Sequence, residues 1–145
     1  MLPDALLAAL HHLLAFALFG LLVRQWTMVC APLAPAAVRR LAHGDLLYGL
    51  TALALLMTGA ARVIWGARGS GWFLPNGWFW AKLACFLLVG LASLPPTIAY
   101  RSWLKRETEV PVRPDEIHAV RRWIALQLGL FLPIPVLAAW MARFG

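Results

Sequence analysis

Charge is scarce in this chain: Asp, Glu, Lys and Arg together make up 13% of its 145 residues. A soluble domain averages about 25% charged residues, so a soluble globular domain is excluded at this length. Only six residues are acidic. Cysteine is rarer still, with Cys30 and Cys85 far apart. There is no CxxC pair and no Cys/His spacing of a zinc site, which excludes a disulfide framework and a structural zinc site. No internal repeat or low-complexity tract occurs. Met1 to Asp4 lacks a basic n-region and no small-residue cleavage site is clear, so the first apolar run reads as a retained helix rather than a signal peptide.

What is present is apolar length. Hydrophobic residues make up 62% of the chain, and a helix needs roughly 20 mostly apolar residues to cross a bilayer. Four runs qualify: Ala5 to Trp26, Leu46 to Trp65, Trp78 to Tyr100 and Trp123 to Met141. Each has Trp or Tyr near at least one end, where such rings favour the headgroup layer. Pro32 and Pro35 punctuate the first connection. Gly69, Gly71 and Pro75 form a short second one. The third, Lys105 to Arg122, is the most charged, and Arg113-Pro114-Asp115-Glu116 could open a helix that runs into the fourth span. Short connections place consecutive helices antiparallel. The expectation is an all-α integral membrane protein, one domain over residues 1–145, built as a four-helix antiparallel bundle.

The net charge is +7, but the basic residues lie between the apolar runs rather than on one face or tail. That distribution argues against nucleic-acid binding and for topology and lipid contact. Nine of the thirteen Lys and Arg residues fall in or beside the first and third connections. The positive-inside rule then places both termini outside the cytoplasm, as expected for a multi-pass protein of a bacterial inner membrane.

Ionisable groups inside spans are costly and mark functional candidates. Here they are His11, His12, Asp45 and Lys82, with Arg62 near a helix end; Tyr48, Thr51, Thr58, Cys85, Ser93 and Gln127 add uncharged polarity. At 1.5 Å per residue, His12 lies about 12 Å past Asp4, Met57 about 12 Å before Trp65, and Cys85 about 13 Å past Asn76. One outer layer can therefore hold imidazole, thioether and thiol, with Arg62 and Lys82 at its rim. Imidazole is a common axial ligand of haem iron and methionine a common second one. Arg62 and Lys82 suit the haem propionates, and Phe16 and Phe19 suit a porphyrin face.

The plainer readings differ. A membrane histidine can bond a carbonyl of a neighbouring helix, Lys82 can snorkel to the interface, and Met57 and Cys85 can simply fill space. Asp45 can cap the second helix or pair with Arg39 or Arg40. His43 is expected at the interface and His118 in the segment before the fourth span. Pro95-Pro96 and Pro133/Pro135 are expected to kink their helices.

The stretches ALHHLLAFALFGLLV, GDLLYGLTALALLMTGAARVIWG and FWAKLACFLLVGLASLPPTIAYRSWLKR, with the final apolar helix, resemble a family of small bacterial membrane proteins known as a domain of unknown function. That resemblance spans nearly the whole chain and implies the fold but no activity. The Leu10-His11-His12 segment, Trp80 and Lys82, and the basic run from Tyr100 to Arg106 are similar to HemJ-type protoporphyrinogen oxidases, which implies haem b and a porphyrinogen substrate. The membrane domains of CopD-type copper-resistance proteins look distantly similar.

The first expectation is thus a b-type haem protein of the outer membrane half, performing electron transfer or redox chemistry. His12 is the preferred axial ligand, with His11 as competitor. Adjacent helix positions point about 100° apart, so one haem takes one of them. The sixth position is open, or filled by Met57 or by a histidine of another subunit. A quinone, a porphyrin or another lipid-soluble molecule is the expected redox partner. Haem-dependent oxidoreductase activity is left undecided, and no catalytic residue is assigned. The alternatives are a copper- or metal-binding or transport protein using His11, His12, Met57 and Cys85, or a structural or assembly subunit. Four helices enclose little volume, and Gly49, Ala52, Gly90 and Ala92 allow close approach, so a homo-oligomer is expected.

Overall fold

The computed structural model describes residues 2–30, 32–106 and 111–144. Its elements are α1 (Leu2–Met28), α2 (Pro35–Trp65), the single turn α3 (Ser70–Phe73), α4 (Gly77–Lys105), α5 (Pro114–Phe131) and α6 (Pro133–Phe144). There is no strand among the described residues. A bilayer offers no water to backbone N–H and C=O groups, so each span must close its own hydrogen bonds, and a helix does so.

Four helical stretches are long and apolar enough to cross a membrane: Pro3–Met28, Pro35–Trp65, Gly77–Lys105 and Pro114–Phe144, the last being α5 and α6 together. They form a closed ring in which α1 packs on α2 and α5, and α4 packs on α2, α5 and α6. Fully buried Leu18, Leu22, Leu41, Val89, Ile117 and Ile124 fill its centre. The outer surface is apolar too, with Phe16, Leu53, Ile98 and Leu132 all more than half exposed. In water such a surface would drive aggregation; in lipid it is the solvated face.

The helices run past the expected spans. With 31 residues, α2 extends about 46 Å, against a hydrocarbon core of roughly 30 Å. It starts at Pro35, whose fixed φ and missing N–H suit a first helical position, so Pro35 opens a helix instead of ending one. The helix expected from Arg113-Pro114-Asp115-Glu116 forms as α5. Glu116 accepts the Arg113 backbone N–H (3.1 Å) and a bidentate pair from Arg106 (2.8 and 2.6 Å). That pair closes the charged connection, of which residues 107–110 lie outside the described residues.

The two proline pairs behave differently. Pro133 removes a donor, and the final span divides there at Leu132 into α5 and α6. By contrast α4 continues through Pro95 and Pro96. Pro95 and Pro96 have no N–H for the carbonyls of Leu91 and Ala92. Two hydroxyls bracket that gap: Ser93 donates to the Gly90 carbonyl (2.6 Å) and Thr97 to the Ser93 carbonyl (3.0 Å).

The ends of the ring differ in chemistry. One end gathers Arg24, Arg39, Arg40, Arg101, Arg106 and Arg121, and is called the basic end below. The other carries Asp4, Arg62, Arg68 and the start of α4, and is called the histidine end. Four crossings bring the start of α1 and the end of α6 to that second end. There Asp4 of α1 accepts the Ala67 backbone N–H (3.0 Å), Asn76 caps α4 by accepting the Trp78 N–H (3.0 Å), and the Trp78 and Trp140 rings meet edge to face at 5.1 Å.

Candidate functional site

At the histidine end, the third and fourth turns of α1 lie against α2. His11 is half-buried and its Nδ1 is 3.1 Å from the Thr58 hydroxyl. Thr58 Oγ1 is also 3.0 Å from the carbonyls of Ala54 and Leu55. A hydroxyl has one hydrogen, and a carbonyl can only accept. Where the Thr58 hydrogen stays on its own helix, its lone pair accepts from His11 Nδ1–H. The lone pair of His11 is then on Nε2. The next residue of α2 makes room for the ring: a Cβ on Gly59 would stand 3.2 Å from His11 Cε1.

His12 points elsewhere, as a 100° step requires. It is exposed on the outer surface of α1, and its Nδ1 lies 2.6 Å from the Ala8 carbonyl. That carbonyl accepts only, so His12 too donates from Nδ1 and keeps its lone pair on Nε2. The two rings are 6.0 Å apart, centroid to centroid, at 87°. Among the described residues, no hydrogen bond engages Nε2 of either ring.

Two cations lie near His11. Arg62 of α2 and Lys82 of α4 are both half-buried, and their charges are the ones that bear most on His11. Lys82 Nζ also lies 5.8 Å from the Phe79 ring centroid. Met57 is placed apart from this group. It is 64% exposed on the outer surface of α2, one residue and so about 100° round from Thr58. Cys85 is a half-buried free thiol on α4. It does not join the histidines in a cage, because among the described residues no three His, Cys, Asp or Glu side chains converge.

A second polar group occupies the ring towards the basic end. Tyr100 of α4, 1% exposed, donates its hydroxyl across the centre to Gln25 Oε1 of α1 (3.2 Å). Asp45 of α2 lies close to the Thr97 hydroxyl, with Arg101, Tyr48 and Tyr100 around it. Asp45 does not cap α2, which begins ten residues earlier, and among the described residues it makes no ion pair with Arg39 or Arg40. Between the two groups the interior is apolar, with Leu18, Leu22, Leu55 and Val89 in its buried core.

The chain matches the family described as "Predicted membrane protein (DUF2214)" over residues 3–145. It belongs to that family. No curated protein and no solved structure matches the chain. Membership of DUF2214 thus agrees with the four spans and makes this a multi-pass membrane protein, while its chemistry has to be read from the side chains.

Three features of this DUF2214 chain are not apparent from composition and depth alone. Thr58 and Gly59 receive His11, and the only signal for them is a small polar pair at the depth of the imidazole. Arg121, counted for topology, is a clamp. Its Nη1 donates to the Val29 carbonyl (2.6 Å), and its guanidinium lies 4.1 Å from the Trp26 ring centroid. Arg24 lies over Gly44, where an added Cβ would be 2.8 Å from Arg24 Nη1.

Proposed function

We propose that this protein is a b-type haem protein of a bacterial inner membrane, with His11 as the axial ligand contributed by the bundle. The observation that carries this reading is the placement of His11 Nδ1 against the Thr58 hydroxyl, 3.1 Å away. An axial imidazole binds iron through one nitrogen while the other donates to a fixed partner, and the Thr58 hydroxyl is placed to be that partner. His12 offers the same nitrogen but from the lipid-facing surface, so it suits a haem shared with a second copy of the chain. Arg62 and Lys82 would hold the propionates. When bound, haem would supply one-electron chemistry, and the chain's own part would be to orient the imidazole, hold the carboxylates and exclude water.

The donor set favours haem over a bare metal ion. Copper or zinc takes three or four protein donors, whereas porphyrin brings four nitrogens and asks the protein for one or two. The resemblance of the Leu10-His11-His12 and Trp80/Lys82 segments to HemJ-type oxidases points the same way, with a porphyrin or quinone as redox partner and oxidoreductase activity as the consequence. In this reading the basic end faces the cytoplasm and the protein is a homo-oligomer, which the mass of the intact detergent complex would check.

The direct test is the absorption spectrum of the detergent-purified protein before and after dithionite. A Soret band that sharpens on reduction, with resolved α and β bands, supports the proposal. A colourless, folded protein made in haem-replete cells contradicts it.

A further inference from the structure

We propose that the histidine group lies in a cleft that opens sideways into the bilayer between α1 and α6, and that the cleft takes a bilayer-borne amphiphile with a carboxylate end. This deepens the haem reading by naming a route and a class of ligand, and rests on it only in taking the histidine group as a binding site. The buried core stops short of that end. Its residues run from Leu18 to Val29 on α1, Val38 to Leu55 on α2, Val89 to Trp103 on α4 and Ile117 to Phe131 on α5. Seven residues make about two turns, which returns a side chain to the same side of a helix. At that step from Leu18, Leu55, Val89 and Ala92 stand His11, Arg62, Lys82 and Cys85. The four core residues are at most 6% exposed, while the four polar ones are all half-buried. The inside of the bundle is therefore reachable at this layer.

One side of α1 tells where the opening is. Trp26, Phe19 and His12 follow one another on it at the same two-turn step. Trp26 lies under the guanidinium of Arg121 of α5 (4.1 Å), and Phe19 meets Phe131 of α5 at 5.3 Å between ring centroids. His12 is next in that line and is exposed. The covering helix has ended: α5 stops at Phe131, and α6 starts at Pro133. Beyond the break α6 packs on α4 and α5, with Trp140 against Trp78 of α4 (5.1 Å). Among the described residues α6 is not a packed neighbour of α1. His12 lies about 15 Å along a helix of about 40 Å, which puts the gap within the hydrocarbon layer of roughly 30 Å. It opens on acyl chains, not on water.

The contents of the cleft select the ligand. Arg62 and Lys82 put two positive charges near His11, and a carboxylate is the partner both side chains suit. Leu14 and Phe86, half-buried beside the polar residues, pack on the core and give the cleft an apolar wall. A ligand that arrives through lipid needs an apolar body, and one that stays beside these cations needs an anionic end. Those two demands together describe an amphiphilic carboxylate of the bilayer.

Cys85 serves as a native reporter once Cys30, the other thiol, is replaced by Cys30→Ser. The full chain, as purified, is placed in phosphatidylcholine vesicles. Cys85 is then reacted with a long-chain alkyl maleimide dissolved in the bilayer, or with a sulfonated maleimide in the water. The alkyl reagent is expected to react first. Bound haem would shield both reagents alike, so their ratio is what is read. Palmitate should slow the alkyl reagent and palmityl alcohol should not. Arg62→Gln and Lys82→Gln should each weaken the palmitate effect about fivefold. His12→Trp puts bulk at the lip and should slow the alkyl reagent, while Leu13→Trp, one position round on the outer surface, should leave it unchanged. The order of the two reagents in Cys30→Ser alone decides the matter even if His12→Trp does not fold. Faster reaction of the sulfonated reagent, or reaction of neither with the folded protein, would overturn the lateral cleft. Equal effects of palmitate and palmityl alcohol would overturn the carboxylate ligand. A colourless protein that labels as expected would remove the haem reading and keep this cleft; a red protein labelled first from the water would do the reverse.

Discussion

A threonine hydroxyl has one hydrogen, and in Thr58 two carbonyls of its own helix compete for it. With the hydrogen on one of those carbonyls, the Thr58 lone pair accepts from His11 Nδ1–H and leaves Nε2 to be offered to iron. Thr58→Val keeps the shape of the side chain and removes the acceptor. If His11 is the axial ligand, this change should weaken haem retention by about 10- to 100-fold, the usual cost of losing such a partner. Haem loss to apomyoglobin would measure it. Unchanged retention would mean that His11 is not bound to iron. At this scale the sequence is informative about residue type and depth but not about direction. His11 and His12 have the same chemistry, and α1 is apolar on all sides, so periodicity does not say which of them meets α2. Only the packing of Gly59 and Thr58 against His11 separates them.

The elements show which features of a membrane helix sequence records. Apolar length records lipid, so all four spans are legible as runs of about 20 residues. Helix outside the lipid leaves no such record: the stretch from Pro35 to Asp45, with two arginines, a histidine and an aspartate, starts α2 eleven residues before the apolar run and changes the reading of Asp45 from a cap to an interior group. The C-terminal end of α1 is fixed in a way hydropathy does not reveal either. Its last carbonyls have no partner within the helix, and Arg121 of α5 supplies a charged donor to Val29 while stacking on Trp26. Arg121→Ala should lower stability by about 2 kcal/mol, from the charged hydrogen bond and the cation–π contact together. Arg121→Lys should restore only part of that, since lysine lacks the planar fork. Thermal unfolding in detergent would measure both; equal stability of Arg121→Ala and wild type would show that the clamp contributes nothing.

At the scale of the whole molecule, an even number of crossings places the two termini at one end, and the asymmetry of charge decides which side that end faces. With the basic end in the cytoplasm, a phosphatase reporter fused after Gly145 should be active outside the cytoplasm, and a cytoplasmic reporter at the same place should be silent. The reverse pattern would invert the orientation and place the histidines on the cytoplasmic side. The ring has an apolar centre between two polar groups, so the histidine group can be altered without disturbing Asp45, Tyr100 and Gln25. That separation makes the central claim accessible to one measurement: the Soret absorbance per folded protein of His11→Ala beside His12→Ala. The account predicts that His11→Ala loses the band while His12→Ala keeps it with at most a shift. A full wild-type band in His11→Ala would contradict the assignment of iron to this imidazole.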